Sequence, residues 1–200
     1  MKYVLDFDGT IIDLWPRYYQ VFSDSNGIKT IPFELYKLYK KNYEKDEVVG
    51  EKLYITLSTS YFEEKKRRLE DLNYLKLDTL FIDKDRLLNF FFREDAIILT
   101  KRCSSENFYK ELDILGLNEL AAKSFVISNK ELSKVNWLVE KYNNENVTII
   151  GDGQEELKCQ NRKNTDVVMV DTGLLNLENY KNLGIKKYDS LDLYMQSINY

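Results

Sequence analysis

Residues 3–10 read Tyr3-Val4-Leu5-Asp6-Phe7-Asp8-Gly9-Thr10, a short run of strand-forming side chains that breaks at an Asp-Gly-Thr loop signal. Two aspartates therefore sit at the carboxyl end of a strand, which is where ligands bind in an open parallel sheet. The pattern recurs. Ala96-Ile97-Ile98-Leu99-Thr100 is rich in β-branched residues, and Ser104 and Ser105 follow as caps for a helix with a buried stripe of Phe108, Leu112 and Leu115. Phe125-Val126-Ile127 reads as the next strand, and Ser133 as the cap of a helix expected to bury Val135, Leu138, Val139 and Tyr142. Val147-Thr148-Ile149-Ile150 ends at Gly151-Asp152-Gly153, and Val167-Val168-Met169-Val170 ends at Asp171-Thr172-Gly173. Short apolar runs alternating with helices predict an α/β fold, a three-layer Rossmann-like parallel sheet covered on both faces.

Between the first strand and the second, from Trp15 to Arg93, the strand pattern disappears. Pro16 and Pro32 fit first helical turns, Phe33, Tyr36, Leu38 and Tyr39 fall at helical spacings, and Tyr61 to Leu72 is charged and amphipathic. Asn26-Gly27 and the Lys45 to Gly50 stretch read as turns. The expected organisation is a core of residues 1–14 and 94–200 with a mainly α-helical cap inserted at 15–93. Asp13 is expected in the loop joining the two. Trp15, Tyr18 and Tyr19 either line a substrate pocket or form the cap's own core.

Composition narrows the chemistry. The 200 residues, 44% of them apolar, suffice for one good core and a smaller second one without disulfides. Cys103 and Cys159 show no paired spacing and have no soft ligand nearby, so they read as reduced thiols of a cytoplasmic protein. The N-terminal residues lack a signal-peptide core, and no window approaches the roughly 18 uninterrupted apolar residues of a membrane span. A net charge of −4 argues against a nucleic-acid polymer as partner, and the basic clusters Lys37–Lys45 and Lys65–Arg68 read as solvated helix faces. Histidine is absent, which excludes Ser-His and Cys-His nucleophile systems and His-ligated zinc.

The strand ends supply Asp6 and Asp8, then Thr100, then Asp152 with Glu156, and a lysine, Lys130 or Lys134, opens the helix before the last of these. Three carboxylates converging on one point repel each other unless a cation joins them, and an all-oxygen set favours Mg2+ over softer metals. A divalent cation with an ammonium is an anion site, and a phosphoryl group suits it best. A carboxyl two residues after a nucleophilic Asp6 can reach the leaving oxygen, which gives Asp8 a purpose.

Asp6-Phe7-Asp8-Gly9-Thr10 resembles the first motif of the haloacid dehalogenase-like phosphatase superfamily. Ile98-Leu99-Thr100 resembles the second motif, Lys134 before its helix the third, and Gly151-Asp152-Gly153-Gln154-Glu155-Glu156 the fourth. The resemblance spans the chain apart from the cap. It implies that Asp6 attacks phosphorus to give an aspartyl-phosphate and that Asp8 serves as acid and base. It further implies that Asp6, the main-chain carbonyl of Asp8, and Asp152 bind Mg2+, while Thr100 and Lys134, or Lys130, hold the phosphoryl oxygens. Glu156 departs from the motif's usual aspartate, and its longer arm reaches a metal shell only through water. The expected activity is hydrolysis of a small phosphomonoester, with the cap closing the site and choosing the substrate. The same motifs also fit a sugar phosphomutase or a catalytically silent binding module.

Overall fold

The computed structural model describes residues 2–27, 31–43, 45–128 and 132–200. In chain order the elements are β1 (Lys2–Leu5), β2 (Ile12–Asp13), α1 (Trp15–Ser25), α2 (Phe33–Tyr43), α3 (Asp46–Lys52), α4 (Tyr61–Leu69), α5 (Leu72–Leu75), β3 (Thr79–Leu80) and α6 (Lys84–Arg93). There follow β4 (Asp95–Lys101), α7 (Ser105–Ile114), β5 (Ser124–Ile127), α8 (Lys134–Tyr142), β6 (Val147–Gly151), α9 (Gln154–Lys158), β7 (Thr165–Val170), β8 (Lys186–Tyr188) and α10 (Leu191–Ser197). Among the described residues no helix is long and apolar enough to cross a membrane.

Six strands form one parallel sheet in the order β5-β4-β1-β6-β7-β8. Alternation along each strand divides its side chains between two cores. Leu5, Ile98, Ile150 and Val168 point to one face, where they pack with Phe108 and Leu112 of α7 and Tyr194 and Met195 of α10. Val4, Ile97, Leu99, Ile149 and Met169 point to the other, against Leu138 and Tyr142 of α8. This is the α/β three-layer arrangement that the apolar runs predict. Ser104 and Ser133 do cap α7 and α8, each accepting a bond from a main-chain N–H three residues on.

β8 is not foreshadowed by an apolar run. Its sequence, Lys-Lys-Tyr, suits an edge strand paired on one side only, where lysines discourage further pairing. Val139 is 49% exposed rather than buried, because capping at Ser133 sets the register so that Lys134, Leu138 and Tyr142 face inward. Lys45 to Gly50 is not a turn. Asp46–Lys52 is helical, with Asp46 and Glu47 in the first turn and Val49 buried.

The inserted helices have a core of their own, built from Trp15, Phe22, Ile31, Tyr36, Val49 and Tyr61. α6, expected to close the insertion, instead buries Leu87, Phe90 and Phe91 in the cluster that holds Leu5 and Ile98. By packing, that helix belongs with the sheet. Asp13 is not in a loop either: β2 and β3 pair antiparallel, Ile12 with Leu80 and Asp13 with Thr79, so the chain leaves the sheet domain and returns to it along one short ribbon.

Candidate active site

The catalytic-type side chains gather where the central strands end. Asp6 follows β1, and its N–H donates to the Ile150 carbonyl of β6 at 2.8 Å, which ties the position to the neighbouring strand. Its Oδ1 accepts from the Phe7 N–H at 2.7 Å and lies 2.6 Å from Nζ of Lys134. Lys134 opens α8, is 3% exposed, and donates equally to Oε1 of Glu156 at 2.6 Å. The other oxygen of Glu156 accepts from the Gly153 N–H at 3.0 Å, so the side chain folds back over its own helix start. A Cβ at residue 151 would overlap that folded chain, which is why the position is glycine.

Asp152 is held from two sides. Thr10 Oγ1 donates to its Oδ1 at 3.3 Å, and the Leu174 N–H to its Oδ2 at 3.3 Å. Gly9, at φ +71°, and Gly173 both press against this carboxylate, and a Cβ on Gly173 would overlap it. Asp6, Asp8, Thr100, Lys134, Asp152 and Glu156 all line one cavity of about 430 Å³. Lys130 lies outside the described residues. Of the three aromatics, Trp15 is in the core of the inserted helices with its indole N–H donated to the Thr172 carbonyl at 2.9 Å, Tyr19 packs at the edge of that core, and Tyr18 lines the cavity.

Electrostatics separates the carboxylates. Burial raises the proton affinity of Asp6, the Lys134 ammonium works against that and the Glu156 charge with it, and the balance is a pKa of about 7. Burial also lifts Asp152 well above the ordinary carboxylate range, with Asp6 and Glu156 adding to the effect. For Asp8 burial is outweighed by Arg102 and then Arg17, which hold it below that range. Burial depresses Lys134, but Asp6 and Glu156 more than restore it and keep it a cation.

The arginines are the part that sequence reading missed. Arg102 donates from Nε to Asp8 Oδ2 at 2.6 Å and from Nη2 to Oδ1 at 2.7 Å, and it also reaches Glu111 at 2.9 Å. Arg17, on α1, donates to the same Oδ1 of Asp8 and sits 3.1 Å from Asp78. The one available signal was local: Arg102 stands two residues past Thr100, at the same strand end.

Among the described residues Asp6 and Glu156 share the Lys134 ammonium, while Asp152 beside them is lifted well above the ordinary carboxylate range, a crowding of carboxyl groups that a hard divalent cation would relieve. Among the described residues no group of three or more Asp, Glu or Cys side chains is arranged to hold a metal ion. The oxygen donors a hard cation takes, the carboxylates of Asp6 and Asp152, do line the same cavity, and by the chemistry of that donor set the residues present fit such a cation.

No family model matches the sequence, and no curated protein matches it. Solved structures do resemble it along its whole length. A haloacid dehalogenase family hydrolase from Deinococcus radiodurans, with bound phosphate and sodium, is 11% identical at a TM-score of 0.70 and covers 98% of this chain and 93% of its own. A haloacid dehalogenase-like hydrolase from Streptococcus pneumoniae is 12% identical at 0.65, covering 98% and 97%. Protein tyrosine kinase A of Mycobacterium tuberculosis is 15% identical at 0.67, covering 100% and 98%. The fold is that of the haloacid dehalogenase-like proteins.

Proposed function

We propose that the chain is a Mg2+-dependent phosphatase of small phosphomonoesters, working through an aspartyl-phosphate on Asp6. The observation that carries this reading is the pairing of a strand-end carboxylate with a buried ammonium, Asp6 with Lys134, at the floor of a cavity roofed by inserted helices. A fold shared with a kinase does not by itself choose the reaction, so the site must.

In this reading Oδ2 of Asp6 attacks phosphorus as the ester P–O bond breaks, and the leaving oxygen takes a proton from Asp8. Water then attacks the aspartyl-phosphate, gives its proton to Asp8, and releases inorganic phosphate with Asp6 restored. Thr100 and Lys134 hold the phosphoryl oxygens, whose charge is spread in the transition state. Asp6 and Asp152, with the Asp8 carbonyl, are the ligands we assign to Mg2+, which when bound neutralises phosphoryl charge and screens the nucleophile from its substrate. Between two guanidinium groups Asp8 stands ionised, the form that accepts a proton from water. For the first step it must carry a proton, which the negative charge of an entering phosphoryl group favours by raising the proton affinity of a carboxylate beside it.

The test is phosphate release from a panel of metabolite phosphomonoesters with Mg2+. Asp6→Asn, which keeps shape and removes the nucleophile, should lower turnover by at least about 10³-fold. Turnover equal to the unaltered protein would sink the mechanism.

A further inference from the structure

We propose that Arg17, carried by the first inserted helix, is a positioning residue that fixes the Asp8 carboxylate for proton transfer, a role that rests on the phosphoryl-transfer reading above. Two of its guanidinium nitrogens are hydrogen-bonded and the third lies beside a carboxyl group. Nη2 donates to Asp8 Oδ1, Nη1 to the Leu69 carbonyl at 3.0 Å, and Nε lies 3.1 Å from Asp78 Oδ2. Arg17 is thus oriented by groups outside the catalytic loop, and its side chain is 3% exposed.

The terminal torsion of an aspartate is soft, so a carboxylate on a loop needs outside contacts to define its plane. Arg102 supplies one fork, and Arg17 adds a second donor to the Oδ1 that the fork also holds. The cluster runs from Asp78 through Arg17, Asp8 and Arg102 to Glu111, all buried save Asp8. Burial outweighs Arg17 and, with a hydrogen bond to Glu111, raises Asp78 to a pKa of about 9, so the two ends meet as a carboxyl and a carboxylate. Such a cluster resists displacement because moving either arginine leaves polar partners in it without their donor. An error of about 1 Å in the group that transfers a proton costs on the order of 10²-fold in rate. Arg17 touches Asp8 and acts through it.

A double-mutant cycle tests this on hydrolysis of p-nitrophenyl phosphate with Mg2+, reading kcat and KM for Asp8→Asn, Arg17→Met and the pair together. We expect Arg17→Met to lower kcat by at least about tenfold with KM changed less than about threefold. In the Asp8→Asn background it should cost nothing further, because a residue acting through Asp8 has nothing left to position. The cycle is repeated with Asp78→Asn, which removes the carboxyl group left unpaired, and Arg17→Lys gives the same kcat and KM split where the methionine variants do not fold. Losses that multiply in the double variant, a raised KM at unchanged kcat, or an unchanged or increased kcat each overturn the role of Arg17. Absent turnover in the unaltered protein, or full activity of Asp8→Asn, overturns the assignment of Asp8 and the role of Arg17 with it. A loss in Asp8→Asn without one in Arg17→Met removes the role of Arg17 alone.

Discussion

Nζ of Lys134 stands 2.6 Å from Oδ1 of Asp6, a buried cation against a carboxylate that burial pushes toward protonation. The ammonium is what makes an ionised Asp6 tolerable at that depth. Lys134→Met leaves Asp6 and Glu156 facing each other without it. Breaking a buried pair by removing one partner costs about 3–5 kcal/mol. Chemical denaturation should show a loss of that size, and phosphate release should fall by at least about 10²-fold; an unchanged midpoint would contradict the pairing.

Stability of the metal-free protein should depend on pH through Asp6. Its folded pKa of about 7 lies above its ordinary 3.8, so the folded state binds the proton more tightly. That contribution is fully present below the ordinary value and is lost as pH rises through about 7. Asp8 and Asp46, held low, act with the opposite sign, so the informative quantity is a difference between variants. With chelator present, Asp6→Asn should gain on the unaltered protein as pH rises from about 5 to about 8. Saturating Mg2+ should shrink that gain, because bound metal favours the ionised carboxylate. Parallel melting curves for the two proteins would refute it.

Gly173 lies against Asp152, and Gly173→Ala forces that carboxylate to move. Supporting groups of this kind typically alter metal affinity by about 10–100-fold. A Mg2+ titration of activity should shift to higher concentration by at least about tenfold. An identical titration curve would show that Asp152 has no part in holding the cation.

Asp46 anchors the inserted helices. It lies 2.8 Å from Lys40, accepts from Tyr61 at 2.8 Å, and pairs with Lys65. Asp46→Ala should destabilise by about 3 kcal/mol or more. Amide hydrogen exchange should rise in α2, α3 and α4 well before it rises in the sheet, and uniform protection throughout would exclude a separate core in the insertion.

The sheet was legible because buried parallel strands are written as short apolar runs, from Val4 and Leu5 to Val167 and Val168. The strand-end residues followed, since Asp6, Thr100 and Asp152 are each marked by the strand they terminate. β8 was not, because an edge strand of Lys186, Lys187 and Tyr188 has no apolar run to show. α3 reads as a turn because it is only 7 residues long and carries Gly50 within it. Nor could Arg17 or Arg102 be recognised from composition. Each is one arginine among polar neighbours, and its meaning depends on Asp78, Asp8 and Glu111, which only the folded chain brings within reach.

The ribbon of β2 and β3 carries both crossings between sheet and insertion, joined at Ile12 with Leu80 and Asp13 with Thr79. Both covalent links of the insertion thus leave the sheet side at one two-stranded seam, and Arg17 and Asp78 follow and precede that seam by four residues and one residue in sequence. The grip on Asp8 is therefore built where the chain itself joins its two parts.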